Sequence, residues 1–275
     1  MYPMLLESHK WEGEDFLLSS RDESESAVKN GDFRGLGINE ALRHISGQPF
    51  DGLPIYIKKI NTMSRLPVTV YPEGGKTTLV YITDCTDGAE MVYGLSREVS
   101  REELLRRAVS GSLSAVCNFV CVQKGDVFFI PAGVVFAVGS GVSAIEISTN
   151  NDLEYIVSDY GERQKKLDIN RAVEVMSNKK IDLSYGTVGD ITLYPFGTVR
   201  DICSCEAFCA EEINMDGNVG FYEEEKTASV ILVSGEIDLS YSTGTMHLRA
   251  GDSLLLPPGI KARLSGRATI IYTVF

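Results

Sequence analysis

The chain has 275 residues, 44% hydrophobic and 23% charged, with a formal net charge of −12. Those proportions are ordinary for a globular protein, and the length suits one long all-β domain or two smaller ones. The acidity argues against nucleic-acid and anionic-membrane partners, which need clustered Lys and Arg, and no apolar run approaches a membrane span.

In chain order, the N-terminus MYPMLLESHKWEGEDF has no basic region followed by a long apolar stretch, so no secretory signal is expected and the cytoplasm is the expected compartment. Asn39 to Ile45 reads as a short helix with His44 on its polar face. Short β runs then follow: Ile55–Ile60, Val68–Tyr71, Thr78–Thr83 and Ala89–Gly94. Ser100-Arg101-Glu102-Glu103 is a capping box, with Leu104, Leu105, Ala108 and Val109 at helical spacing behind it. Strand signals resume at Phe119–Val122, Val127–Ile130, Val134–Val138 and Ala144–Ser148, and a second helix is expected from Asp168 to about Ser177. The six cysteines include Cys203, Cys205 and Cys209. Their spacing is poor for zinc, and period two would put them with Ala207 on one strand face as small core residues. In a cytoplasm all six should be reduced thiols.

Gly125-Asp126, an apolar run, Pro131-Ala132-Gly133 and a return strand resemble the G-D-x-x-x-x-P-x-G hairpin of cupin barrels. A second copy occurs at 250–266, preceded by Ser229–Val233, Ser234-Gly235-Glu236 and Ile237–Tyr241, read as a hairpin around an S-G-E turn. The expected architecture is therefore all-β: two cupin-like (jelly-roll) β-barrels with a few inserted helices. Residues 1–176 would form the first barrel with its helical insertion, and 177–275 a smaller second one. His247, in the second, reads as a lone surface or core histidine.

Trp11 to Met176 resembles the short bacterial form of the mannose-6-phosphate isomerase family (type I, zinc-dependent cupins). The matching segments are Val28-Lys29-Asn30-Gly31, Ile57-Lys58-Lys59-Ile60, Leu66 to Pro72, Gly75-Lys76-Thr77-Thr78, Pro131 to Ala137, and Ile145 to Asp152 with Tyr155. The resemblance implies an aldose–ketose isomerase of carbohydrate metabolism that holds zinc through the Gln and His of L-S-V-Q-V-H-P, the Glu of G-K-T-E and the His of P-A-G-T-V-H-A. The positions of this chain at those places are Thr69, Tyr71, Thr78 and Phe136. The catalytic Arg of the family falls on Ile156. Hydroxyls, a phenol and a phenyl ring are not zinc donors at neutral pH, so no metal and no cofactor are expected. Lys76 and Glu146 are the weak candidates left for catalysis. A ligand pocket would be drawn from Lys76, Tyr71, Thr69, Thr78, Glu146, Asn150 and Asp152, with Ser19-Ser20 and Lys29-Asn30 as further surviving polar positions.

Three readings compete: a non-catalytic homologue that keeps a sugar or sugar-phosphate pocket, an isomerase working through other residues, and an interaction cupin whose barrel has filled in. The first is favoured, with homo-oligomers possible.

Overall fold

The protein is described by a computed structural model covering residues 2–11, 14–161, 167–182, 185–186 and 188–275. The chain forms two compact units, Ile60–Val188, and Met1–Lys59 together with Gly189–Phe275. The all-β expectation holds: among the described residues the α-helices are Ile38–Ser46, Arg101–Val109 and Ile169–Val175, and strands make up the rest of the regular structure apart from short 3-10 turns. None of these helices is long and apolar enough to cross a membrane.

In the unit Ile60–Val188, one set of antiparallel strands runs Val127–Ile130, Thr78–Cys85, Val142–Thr149 in spatial order. A second runs Tyr155–Ser158, Val68–Val70, Val135–Val138, Glu90–Leu95, Cys117–Cys121. Their inner side chains, among them Val80, Ile82, Met91, Tyr93, Phe128, Ile130, Phe136 and Val138, form one buried cluster. The outward side chains of the second set, including Val68, Val70, Val92, Val135 and Ala137, pack beneath the helices through Leu104, Ala108, Ala172 and Val173. Strand Val135–Val138 is thus buried on both faces, which is why it reads as a continuous apolar run without alternation.

The N-cap half of the expected capping box forms, with Ser100 Oγ accepting from Glu103 N at 3.2 Å. Glu103 also binds Arg97 and Arg107, each at 2.7 Å. Arg101 donates to the carbonyls of Val173 and Met176, satisfying the open end of the following helix.

In the other unit a nine-stranded sheet follows the order Ile191–Tyr194, Gly197–Ser204, Cys209–Tyr222, Lys261–Val274, Ala228–Tyr241, Ser253–Leu256, Met4–Glu7, Ala27–Val28. Strand Gly244–Arg249 pairs to the side of Ala228–Tyr241. Its core is built from Leu232, Leu239, Leu248, Leu254, Leu264 and Ile270.

Four sequence expectations change. Residues 1–59, assigned to a first barrel ending at 176, group instead with the C-terminal strands: Met4–Leu6 pair with Leu255–Ser253, and Ser253 Oγ donates to Leu17 O at 2.7 Å. The Gly125–Val138 hairpin is a corner, because Val127–Ile130 pairs with Thr78–Tyr81 whereas Val135–Val138 joins the other sheet. Ser234-Gly235-Glu236 runs on inside one 14-residue strand and is not a reversal; the register against Lys261–Val274 shifts just before it, between Leu232 and Ser234. Gly235 takes φ +84, and both flanks keep the same partner strand. The cysteines do not share one strand face either. A tight turn intervenes, closed by Cys205 N donating to Phe208 O at 3.0 Å, and Cys209 is exposed on the next strand.

Candidate functional site

The chain segments singled out by the sequence meet inside the unit Ile60–Val188. Strand Val68–Val70 delivers Thr69 and, just past its end, Tyr71. A turn follows in which Gly75 N donates to Pro72 O at 2.9 Å. Gly75 is required there, since a Cβ would lie 2.8 Å from Pro72 O and 2.9 Å from Leu153 O. Lys76 comes out of that turn, and Thr78 opens the next strand opposite both Ile130 and Ser148. Phe136 lies opposite Thr69, and Thr69 opposite Ile156. The four aligned ligand positions are therefore neighbours in space, as the resemblance requires.

Their chemistry is that of a packed interior. Tyr71 and Phe136 are 2% and 7% exposed, with ring centroids 5.1 Å apart at a 58° tilt, and both belong to the apolar cluster of the barrel. The Thr78 hydroxyl, fully buried, lies 3.3 Å from the Tyr71 phenol oxygen and 2.7 Å from the Ser148 hydroxyl. Ser148 in turn donates to Glu146 Oε1 at 2.9 Å. This file satisfies polar groups that would otherwise be costly to bury. Thr69, half-buried, donates to Pro67 O at 3.3 Å. Deeper in, Tyr93 donates to Phe129 O at 2.8 Å, and burial pushes its phenol up to about 12.

Zinc needs imidazole, thiolate or carboxylate donors. Among the described residues no group of three or more His, Cys, Asp or Glu is placed to hold a metal. At the aligned positions the buried phenol faces a threonine hydroxyl and a phenyl ring fills the next place. The residues present do not fit the ion.

Lys76 is 8% exposed and its Nζ lies 2.6 Å from Glu154 Oε2 and 5.8 Å from the centre of the Tyr71 ring. Asn150 and Asp152 are exposed on the loop after strand Val142–Thr149. Asn151 between them fastens that loop to the lysine's turn, donating to Gly74 O at 2.9 Å and accepting from Leu153 N at 2.8 Å. Ser19, Ser20 and Asn30 sit in the other unit as scaffold: Ser19 pairs with Ser24, Ser20 accepts from Leu53 N, and Asn30 donates to Pro3 O. Lys29 is exposed. His247 is an exposed histidine, as one of its two readings had it, with Asp238 at 2.9 Å and Glu236 at 3.6 Å.

Sequence reasoning missed Ser148 and Glu154. Ser148 could have been found by parity, because it is two residues from Glu146 and points to the same side. Glu154 gives no local signal, since its partner is 78 positions away.

No family model matches the chain. Mannose-6-phosphate isomerase ManA of Bacillus subtilis (strain 168) is 27% identical over 280 residues, covering 94% of this chain and 88% of that protein. Mannose-6-phosphate isomerase of Streptococcus mutans is 26% identical, covering 91% and 84%. The crystal structure of mannose 6-phosphate isomerase from Bacillus subtilis superposes with a TM-score of 0.88 at 22% identity, covering 99% of both chains. The apo form from Salmonella typhimurium superposes at 0.72 with 13% identity, covering 94% and 90%. Near-complete coverage by both kinds of relative agrees with the motif order along the sequence: the chain is similar over most of its length to mannose-6-phosphate isomerases and shares their fold.

Proposed function

We propose that this protein is a non-catalytic mannose-6-phosphate isomerase-like cupin that binds a sugar or sugar phosphate near Lys76 without isomerising it. The observation that carries the reading is the Tyr71–Phe136 ring pair, hydrogen-bonded on to Thr78, at the aligned zinc positions. Aldose–ketose exchange passes through an enediolate, whose oxyanion needs a cation or strong donors, and removing one such contact costs about 10²–10³ in rate. Ile156 at the aligned arginine position offers none. For binding, Lys76 supplies a positive charge whose present partner is the carboxylate of Glu154. That carboxylate occupies the place an anionic ligand group would take, and an incoming phosphate would displace it. All six cysteines are free of disulfides, which fits a reducing compartment such as the cytoplasm.

Thermal shifts with a panel of sugar phosphates, free sugars and sugar acids test the binding half. A ligand at about 100 times its Kd adds about 2.7 kcal/mol to the folded state. Some members should raise the melting temperature, and Lys76→Ala should reduce the shift for phosphorylated ones. A flat panel favours a second reading, an interaction cupin with a closed barrel, for which the burial of Tyr71 and Phe136 already speaks.

A further inference from the structure

We propose that the outer face of the nine-stranded sheet binds a neutral polyhydroxylated small molecule, an open-chain polyol or a monosaccharide, centred on Asn214, Thr269 and Ser234. The strand register brings these residues together. Thr198 lies opposite Asn214, Asn214 opposite Thr269, and Thr269 opposite Ser234, so one polar strip crosses neighbouring strands on a single face. Alternation sends Ile213, Met215, Ala268 and Ile270 to the other face, into the core.

The strip is held from one side. Arg200 and Glu212, both buried, form an ion pair at its edge. Asn214 Nδ2 donates to Glu212 Oε1 at 2.6 Å, and Thr269 Oγ1 donates to Asn214 Oδ1 at 2.7 Å. Anchoring through a buried charge fixes the rotamers before any ligand arrives, which lowers the entropy lost on binding. By the donor inventory of these groups, the Asn214 amide retains a second N–H and the Thr269 oxygen retains acceptor capacity, while the Ser234 hydroxyl can do either. Surfaces that both donate and accept at close spacing suit hydroxyl groups, which do the same.

There is room for such a ligand. An open groove of about 450 Å³ lies over Asn214, Asp216, Ser234, Arg267 and Thr269, within the usual range for small-molecule sites. Its floor is bare backbone. A Cβ on Gly197 would lie 1.9 Å from Asn214 O, and one on Gly235 would lie 2.1 Å from Arg267 O, so no side chain can grow in from either position. The rim sets the charge preference. Arg267 lies 3.8 Å from Asp216 and opposite Glu236, so its charge is offset by carboxylates and a phosphate gains little. A neutral ligand loses nothing there. This strip and Lys76 lie in different units, so either can fail without the other.

The test is a two-dimensional amide NMR titration of the ¹⁵N-labelled full chain with sorbitol. Saturable shifts are expected at the Asn214 side-chain amide and at Gly235 and Thr269, unchanged in Lys76→Ala. Thr269→Val, which removes only the hydroxyl, should weaken binding at least about tenfold. Ser234→Ala is the second variant and should weaken it severalfold, with unaltered melting temperature as the check on folding. The proposal is overturned if sorbitol gives no saturable shift at these residues, if neither variant changes the affinity, or if only a phosphorylated sugar saturates the strip.

Discussion

Replacing Phe136 by alanine probes whether the barrel interior is packed or open. Burying a phenyl side chain contributes about 1.5–3 kcal/mol, and the tilted contact with Tyr71 at 5.1 Å adds about 0.5–1.5 kcal/mol. The surrounding strand is buried on both faces, so the hole closes poorly and the total reaches the about 3–5 kcal/mol typical of buried Phe→Ala changes. Phe136→Ala should therefore lower the urea midpoint with an unchanged slope and bring the melting temperature down by roughly 6–20 °C. A loss below about 1 kcal/mol would mean that the ring stands at an open mouth with water beside it. The filled-site reasoning would then fail.

Thr78→Val keeps the shape but removes the hydroxyl that joins Tyr71 to Ser148; a destabilisation of about 1–3 kcal/mol is expected from chemical denaturation, and a neutral result would show the file to be energetically idle. Arg97 and then Arg107, by hydrogen bonding, hold the Glu103 carboxyl down at about 2. A depressed folded-state value means the contribution is present above the ordinary value of 4.5 and lost as pH falls towards about 2. The stability gap between the protein and Glu103→Gln should shrink across that window and with added salt; a gap that widens on acidification contradicts the assignment.

The sequence carries much of the strand layout of the unit Ile60–Val188, because short apolar runs end at glycine and proline signals that work locally. Thr78–Cys85 and Val142–Thr149 exceed the expected strands by one or two residues at their ends. The Ser100 cap was equally readable, since it involves residues three apart. What escaped is non-local or depends on backbone conformation. The pairing of Met4–Leu6 with Leu255–Ser253 joins opposite ends of the chain and leaves no mark in either strand. Ser234-Gly235-Glu236 carries the residues of a turn, and only pairing with one partner strand on both sides makes it a continuous strand. At the site, alignment located Thr69, Tyr71, Thr78 and Phe136 because motif order survives. The ion pair of Lys76 with Glu154 depends on how a distant loop folds back, which no spacing rule encodes.

The proposed function requires that the interior around Tyr71, Thr78 and Phe136 be a packed core that holds no zinc. A coupled mannose-6-phosphate isomerase assay on zinc-loaded protein, free of host isomerase and with metal content measured on the same sample, tests it most directly. No turnover above background and no stoichiometric zinc are expected. Turnover in the ordinary range of about 1–10³ s⁻¹, with bound zinc lost on Tyr71→Ala or Thr78→Ala, would contradict it.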